Sequence, residues 1–337
     1  EEIPSYLAGI AVSDYQTLSD TVIGANGVIP IRLIARASDT TRLKNSFVHL
    51  KDAFHIFEKK FGPYRFEKIG YVVVPFNAGA MEHATNIAYM QALVNGYTQY
   101  ESTMAHELSH HWFGDLATCE TAGDMWLNEG WARYCEAIFL ENLYNKERAN
   151  QDLRKSHEGV LRLAHIEDND YWSVANIPHQ YTYARQSIYE HGSLATHTLR
   201  TYMGDSLFFH CVTAYLNTYS FTNVNSNTLK TFLSQCSGID LSDFFKANDL
   251  EADLELIVRR EIAPSGKSRA FLNDTPVTLD LLQEVADKLV DLHQQFDTLA
   301  LHKQAFQQQA LDAAAHLQTE TAEFRTLYKQ YAALEKQ

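Results

Sequence analysis

Apolar positions recur along the chain in two rhythms, one of strands and one of helices. Tyr6-Leu7-Ala8-Gly9-Ile10-Ala11-Val12 and Ile31 to Ala37 read as strands. Leu43, Phe47, Leu50, Phe54 and Phe57 fall three or four apart, which predicts one apolar helix face. Asp39 or Thr40 can cap that helix, and Gly62-Pro63 stops it. Ile69 to Pro75 is a β-branched run typical of a buried strand. Helical spacing then takes over: Tyr97 to Phe113, closed by Gly114, next Met125 to Leu143, and then segments near 147–165, 187–203, 205–219 and 226–236. Helices concentrated after strands predict an α+β fold rather than a doubly wound sheet.

The pattern changes near residue 248. All four Trp, all four Cys, all five Met and fourteen of the fifteen Gly precede it. Beyond it, Leu256 to Ile262 and Ser268 to Val277 read as two strands of a hairpin joined by a Pro-Ser-Gly turn. Leu279 to His293 is an amphipathic helix, and from about Phe306 a long Gln/Ala-rich helix runs to the end. The expected divisions are 1–25, 26–247 and 248–337. Glu1-Glu2-Ile3-Pro4 carries no initiator Met, basic segment or apolar leader, so the chain reads as beginning inside a larger protein and its compartment stays open.

Composition narrows the function classes. With 337 residues, 45% hydrophobic and 21% charged, a sizeable core is available and global disorder is excluded. No apolar run approaches the ~18 residues of a membrane span. A net charge of −14, from 28 basic and 42 acidic residues, argues against a nucleic-acid partner. None of the four Cys forms a CxxC pair, so neither a disulfide scaffold nor a cysteine zinc cluster is expected. Cys119 and Cys135 flank residue 129; they could pair, and two buried thiols are the favoured reading.

The candidate chemistry lies in His106-Glu107-Leu108-Ser109-His110. Residues four apart share a helix face, so both imidazoles can reach one ion, while Glu107 can address a water on that ion. Zinc needs a third protein ligand and leaves a fourth position open. Glu129, in Trp126-Leu127-Asn128-Glu129-Gly130-Trp131, follows His110 after eighteen residues, enough for a loop and a return. The five-residue pattern alone also fits a solvated helix face, but Met104, Ala105, Leu108 and Trp112 make this helix partly apolar. Two His and a Glu on a buried helix need partners.

HELSHHWFGDLAT followed by WLNEGWA resembles the aminopeptidase N family of gluzincin metallopeptidases, which includes the leukotriene hydrolases. Gly79-Ala80-Met81-Glu82 resembles that family's exopeptidase motif, and Ile188-Tyr189-Glu190-His191-Gly192 its Tyr-Glu-Lys-Gly segment. The resemblance covers about residues 3–247. It implies a remnant of an N-terminal β-domain at 1–25 and a thermolysin-like catalytic domain over 26–247. It implies one Zn²⁺ per chain held by His106, His110 and Glu129, with Glu107 as general base and Tyr189 as oxyanion donor. Glu82 would hold the free α-amino group of a peptide, with Gly79, Ala80 and Met81 along its backbone. The implied activity is removal of N-terminal residues from peptides. The alternative is a truncated or composite zinc-binding chain with little or no peptidase activity; epoxide hydrolysis and endopeptidase action are lesser readings. His83 stands where the family has Asn, which bears on substrate register, and His191 where it has Lys. Asp115 could hydrogen-bond a ligand histidine, and a helix-ending Asp is the favoured reading.

The tail is similar to part of the bacterial DNA-repair ATPase RecN, over about 85 residues, on IVRREI, GKSRAF and LVDLHQQ. Gly266-Lys267-Ser268 mimics a phosphate loop, but Glu261 occupies the position where that motif needs Gly, so no nucleotide is expected.

Overall fold

A computed structural model describes residues 3–77, 79–175, 177–248, 258–262, 268–272 and 275–279. The chain divides into two units, 1–254 and 255–337.

The first unit is built on a mixed five-stranded sheet in the order β1-β2-β3-β5-β4. Strands β1 (Tyr15–Gly24) and β2 (Gly27–Arg36) form an antiparallel ribbon in register from Tyr15↔Arg36 to Gly24↔Gly27. The turn between them is Ala25-Asn26, so the break expected after residue 25 falls at a hairpin tip inside one sheet. Strand β3 (Ile69–Val74) lies parallel to β2 and to β5 (Ile87–Met90). The two-residue β4 (Ala80–Met81) closes the edge antiparallel to β5. The strand expected at 6–12 is instead a 3-10 turn, Ser5–Leu7, followed by an extended segment. Only Leu7 there is fully buried, while Ile10 and Val12 are almost wholly exposed. The apolar pattern was real, but no neighbouring strand takes it up. The true first strand is a polar edge strand whose sequence, YQTLSDTVIG, carries little hydrophobic signal.

The apolar face expected between residues 43 and 57 is present but is carried by two helices, α1 (Thr40–Ser46) and α2 (Leu50–Phe61). Where α1 ends, the buried Ser46 accepts the amide of Gly96. Leu43, Phe47, Leu50, Phe54, Phe57 and Phe61 join one core with Ile31, Ile69, Tyr71 and Tyr89. The face survives the break because the residues on either side keep their three-to-four spacing.

Helix α3 is shorter than expected, Glu101–Ser109, with a 3-10 turn Thr98–Tyr100 before it. It ends because the amides of Trp112 and Phe113 both turn back to the Ser109 carbonyl, and Gly114 takes φ +123°, open mainly to glycine. The helix expected from Met125 is likewise split. A 3-10 segment, Ala122–Leu127, kinked at Asp124 (φ −102°, ψ 16°), runs through Asn128 into α4 (Glu129–Leu143), so Glu129 is the first residue of a helix. Helix α5 (Lys146–Glu167) follows. The segment expected to be helical from 187 opens as a π-helical turn, Arg185–His191, running straight into α6 (Gly192–Met203). Helices α7 (Asp205–Thr218), α8 (Ser226–Ser237) and α9 (Ser242–Ala247) complete the unit, with a short parallel pair β6 (Ala117–Cys119) and β7 (Thr222–Val224). Trp131 of α4 stacks between Phe113, 4.6 Å away, and Phe208 of α7, 5.8 Å away.

Cys119 and Cys135 are both free thiols. A disulfide that the sequence did not disclose joins Cys211 of α7 to Cys236 of α8. Their separation of 25 residues matches no motif, and pairing of this kind depends on tertiary proximity.

In the second unit, β8 (Val258–Ile262), β9 (Ser268–Leu272) and β10 (Thr275–Val277) form an antiparallel meander. The expected hairpin has a third strand, because the segment expected as one strand from Ser268 to Val277 forms two, β9 and β10, paired antiparallel. The helices expected at 279–293 and from 306 onward lie outside the described residues, as do Gly266 and Lys267 of the rejected phosphate-loop match. No described helix is long and apolar enough to cross a membrane.

Candidate metal centre and active site

Helix α3 presents His106 and His110 one turn apart, both buried. The passage from the 3-10 segment through Asn128 brings Glu129 to them at the first position of α4. Glu129 Oε2 lies 3.2 Å from His106 Nε2 and 3.4 Å from His110 Nε2. Bonds of ~2.05 Å to a tetrahedral ion place neighbouring ligand atoms about 3.3 Å apart, so this spacing suits zinc.

The outward faces of the imidazoles sharpen the argument. His106 Nδ1 donates to Glu136 Oε1 at 3.0 Å, and His110 Nδ1 donates to the Phe113 carbonyl at 2.9 Å. With Nδ1 protonated, both Nε2 atoms are bare acceptors facing a carboxylate oxygen. Three acceptors at such separations require a cation or extra protons between them. Without an ion, protons fill the gap: burial works against a charged His106, but hydrogen bonds to Glu129 and Glu136 carry it up to about 9. His110 rises despite burial, through Glu82 and Glu129. Burial of Glu129 is outweighed by His110 and His106, which hold its carboxyl far below the usual range. A divalent ion would replace those protons with two positive charges on a single centre.

Glu136, not Asp115, supports His106. It lies seven residues after Glu129 and so on the same face of α4, a spacing visible in the sequence but not used. Asp115 is buried, and neither of its oxygens has a hydrogen-bond partner. Its 3.6 Å approach to His111 Nε2 is no ion pair, because that nitrogen accepts the Thr85 amide. Burial and His110 hold His111 down at about 3, and burial with Glu82 drives the Asp115 carboxyl upward.

The other expected residues gather around this centre. Atoms of Glu82, Glu107 and His110 lie within 4.8 Å of one another, all buried. Burial, opposed by the two histidines but helped by Glu82, pushes Glu107 up to about 7. The Tyr189 ring stacks on His106 with centroids 6.1 Å apart and planes 16° from parallel. Burial, then Glu129 and Glu82, keep its hydroxyl protonated well above the ordinary range.

Ala80 and Met81 form β4, paired to Tyr89 and Ala88 of β5, so one side of β4 is a free sheet edge. Gly79, at φ +92°, opens onto empty space. His83 turns toward the N-terminal segment: a Cβ on Gly9 would lie 2.7 Å from its ring. A cavity of about 830 Å³ is lined in part by Tyr6, Cys119, Met125 and Tyr183, and by none of the three cluster residues. Both tyrosines feel the charge of Glu82, and neither was anticipated from the sequence.

Known proteins similar to this chain include aminopeptidases and M1 zinc metallopeptidases. Aminopeptidase N of Streptomyces lividans is 28% identical over 272 residues, covering 73% of this chain and 30% of that protein. A probable aminopeptidase 1 of Sulfurisphaera tokodaii is 25% identical over 257 residues, covering 71% of this chain and 31% of its own length. The chain therefore spans about 30% of the length of these relatives. An M1 zinc metallopeptidase from Deinococcus radiodurans, solved with a Tyr-Ser-Ala substrate, shares the fold with a TM-score of 0.61 at 22% identity, over 71% of this chain and 53% of that one. The sequence profile of the peptidase family M1 domain matches residues 46–248, more than half of the chain, from α1 to the end of α9. The chain belongs to the peptidase M1 family.

Proposed function

We propose that this chain is a zinc aminopeptidase that releases the N-terminal residue of peptides. One observation carries the reading: Glu82, Glu107 and Tyr189 lie against the buried His106–His110–Glu129 cluster. His106, His110 and Glu129 would hold Zn²⁺, one per chain. When bound, Zn²⁺ supplies Lewis acidity that makes a water nucleophilic near neutral pH.

The residues divide the remaining work. Glu107, poised near neutrality, accepts the water's proton and delivers it to the leaving amine. Tyr189 keeps its proton and can donate to the oxygen that gains charge as the scissile carbonyl is attacked. The free edge of β4 suits an extended peptide laid alongside Ala80 and Met81. Gly79, with nothing near its missing side chain, leaves room for that backbone. Glu82, buried next to the centre, is placed to pair with a substrate ammonium, which only a chain end provides.

The test is hydrolysis of aminoacyl-anilides against their N-acetylated forms, alongside metal analysis. The expected result is about one zinc per chain and cleavage of the free amines alone. Equal cleavage of both would remove the exopeptidase reading. The partial span of the relatives favours one second reading, a zinc-binding chain with little turnover; a folded, zinc-loaded sample without activity would select it.

A further inference from the structure

Arg133, buried in α4, lies at the crossing of three segments. Its Nε donates to Glu190 Oε2 at 2.9 Å, its Nη1 to Asp152 Oδ2 at 2.8 Å and its Nη2 to Ser156 Oγ at 2.9 Å. Ser156 donates onward to the same Glu190 oxygen at 2.6 Å, which closes a ring between α4, α5 and the π-helical turn. Glu136 Oε2 lies 3.5 Å from Arg133 Nη1, while the other oxygen of that carboxylate holds His106 Nδ1.

The guanidinium thus touches two functional parts. Through Glu136 it reaches a metal ligand. Through Glu190 it holds the residue next to Tyr189, in a turn whose π geometry is less regular than an α-helix and therefore needs outside support. Only a planar fork of donors serves several acceptors in different directions at once; an ammonium on a flexible stem does not. One positive charge among three carboxylates also exceeds what burial of an arginine requires.

We propose that Arg133 is a positioning residue that sets the zinc grip of His106 and the placement of Tyr189 together. The Tyr189 half rests on the aminopeptidase reading above; the His106 half does not. Four variants separate the effects: Glu136→Gln, Glu190→Gln, Arg133→Met and Arg133→Lys. Two quantities are read well below the lowest Tm, the rate of zinc loss to a chromophoric chelator and the kcat on an aminoacyl-anilide. Glu136→Gln should speed zinc loss by about 10–100-fold, the usual effect of losing a partner of a ligand histidine. Glu190→Gln should lower kcat by about tenfold and leave zinc loss within about twofold, because Glu190 does not touch a ligand. Arg133→Met should do both. Arg133→Lys should recover part of the zinc retention, by charge alone, and little of the kcat, because the fork is gone.

A merely structural arginine predicts otherwise: a lower Tm for Arg133→Met with zinc loss and kcat both within about twofold of wild type. That result would overturn the proposal. Should Arg133→Met fail to fold, the Arg133→Lys and Glu136→Gln double-mutant cycle decides. Non-additive zinc loss supports the coupling and additive loss refutes it. A wild-type chain that binds zinc but turns nothing over would end the aminopeptidase reading while leaving the zinc-loss comparison intact.

Discussion

Single residues decide the chemistry. Replacing Glu107 by Gln removes the proton acceptor and should cut kcat by about 10²–10⁴-fold, with zinc content unchanged by metal analysis. Tyr189→Phe loses one donor to the developing oxyanion and should cost about 10²–10³ in kcat, with KM little altered. Much of this set was legible in the sequence because its spacing has a cause: His106 and His110 must lie one helical turn apart to share an ion. Glu136 was equally readable from the face of α4 that Glu129 occupies. Asp115, for which a helix-ending role was the favoured expectation, approaches His111 rather than a ligand. His191 gives a pH effect at this scale. Burial holds it down at about 4, so between about pH 6.5 and pH 4 the unfolded chain takes up a proton that the folded chain refuses. Its contribution to stability is complete above about pH 6.5 and is lost as pH falls through that window, by at most about 1.4 kcal/mol per pH unit. Thermal unfolding followed from pH 8 to 4 should show a shallower decline for His191→Asn than for the parent.

At the scale of elements, a close backbone-to-backbone approach lies beside the site. A Cβ on Gly130 would meet the Gly192 Cα at 2.9 Å and the Ile188 carbonyl at 3.1 Å. Gly130 follows the ligand Glu129, and Gly192 ends the segment that carries Tyr189. Gly130→Ala should therefore push α4 from the π-helical turn. The expected cost is about 1–3 kcal/mol of stability, together with a fall in kcat larger than Tm alone would suggest; denaturant unfolding and kinetics on the same sample check both. The elements themselves were read well where one periodicity ran long, as in α2, α5, α7 and α8. They were missed where a strand was short or polar: β4, β5, β6 and β7 have two to four residues each, and β1 is an edge whose outward face carries no apolar signal. The break of α1 from α2 and the change from 3-10 to α-helix at Asn128 leave the apolar spacing intact, so pattern alone could not reveal them.

Across the whole molecule, the disulfide between α7 and α8 is the one covalent tie among the described residues. Closing a 25-residue loop is worth about 3 kcal/mol in the unfolded-chain account, or roughly 6–12 °C for a unit of this size. Reduction should lower Tm by that amount while zinc content and kcat measured well below Tm stay level, since neither cysteine approaches the ligands. The family profile matches residues 46–248, and the two units divide at 254/255.

The stacking of Trp131 between Phe113 and Phe208 has an optical consequence. Trp131 lies two residues from Glu129, and Trp126, also buried, lies three residues before it. Excited indoles so near a carboxylate respond to its electric field, so loading the cation should alter the emission of the native protein. Metal uptake would then be visible in a fluorimeter with no peptide present, and a titration could be followed even in variants that hydrolyse nothing.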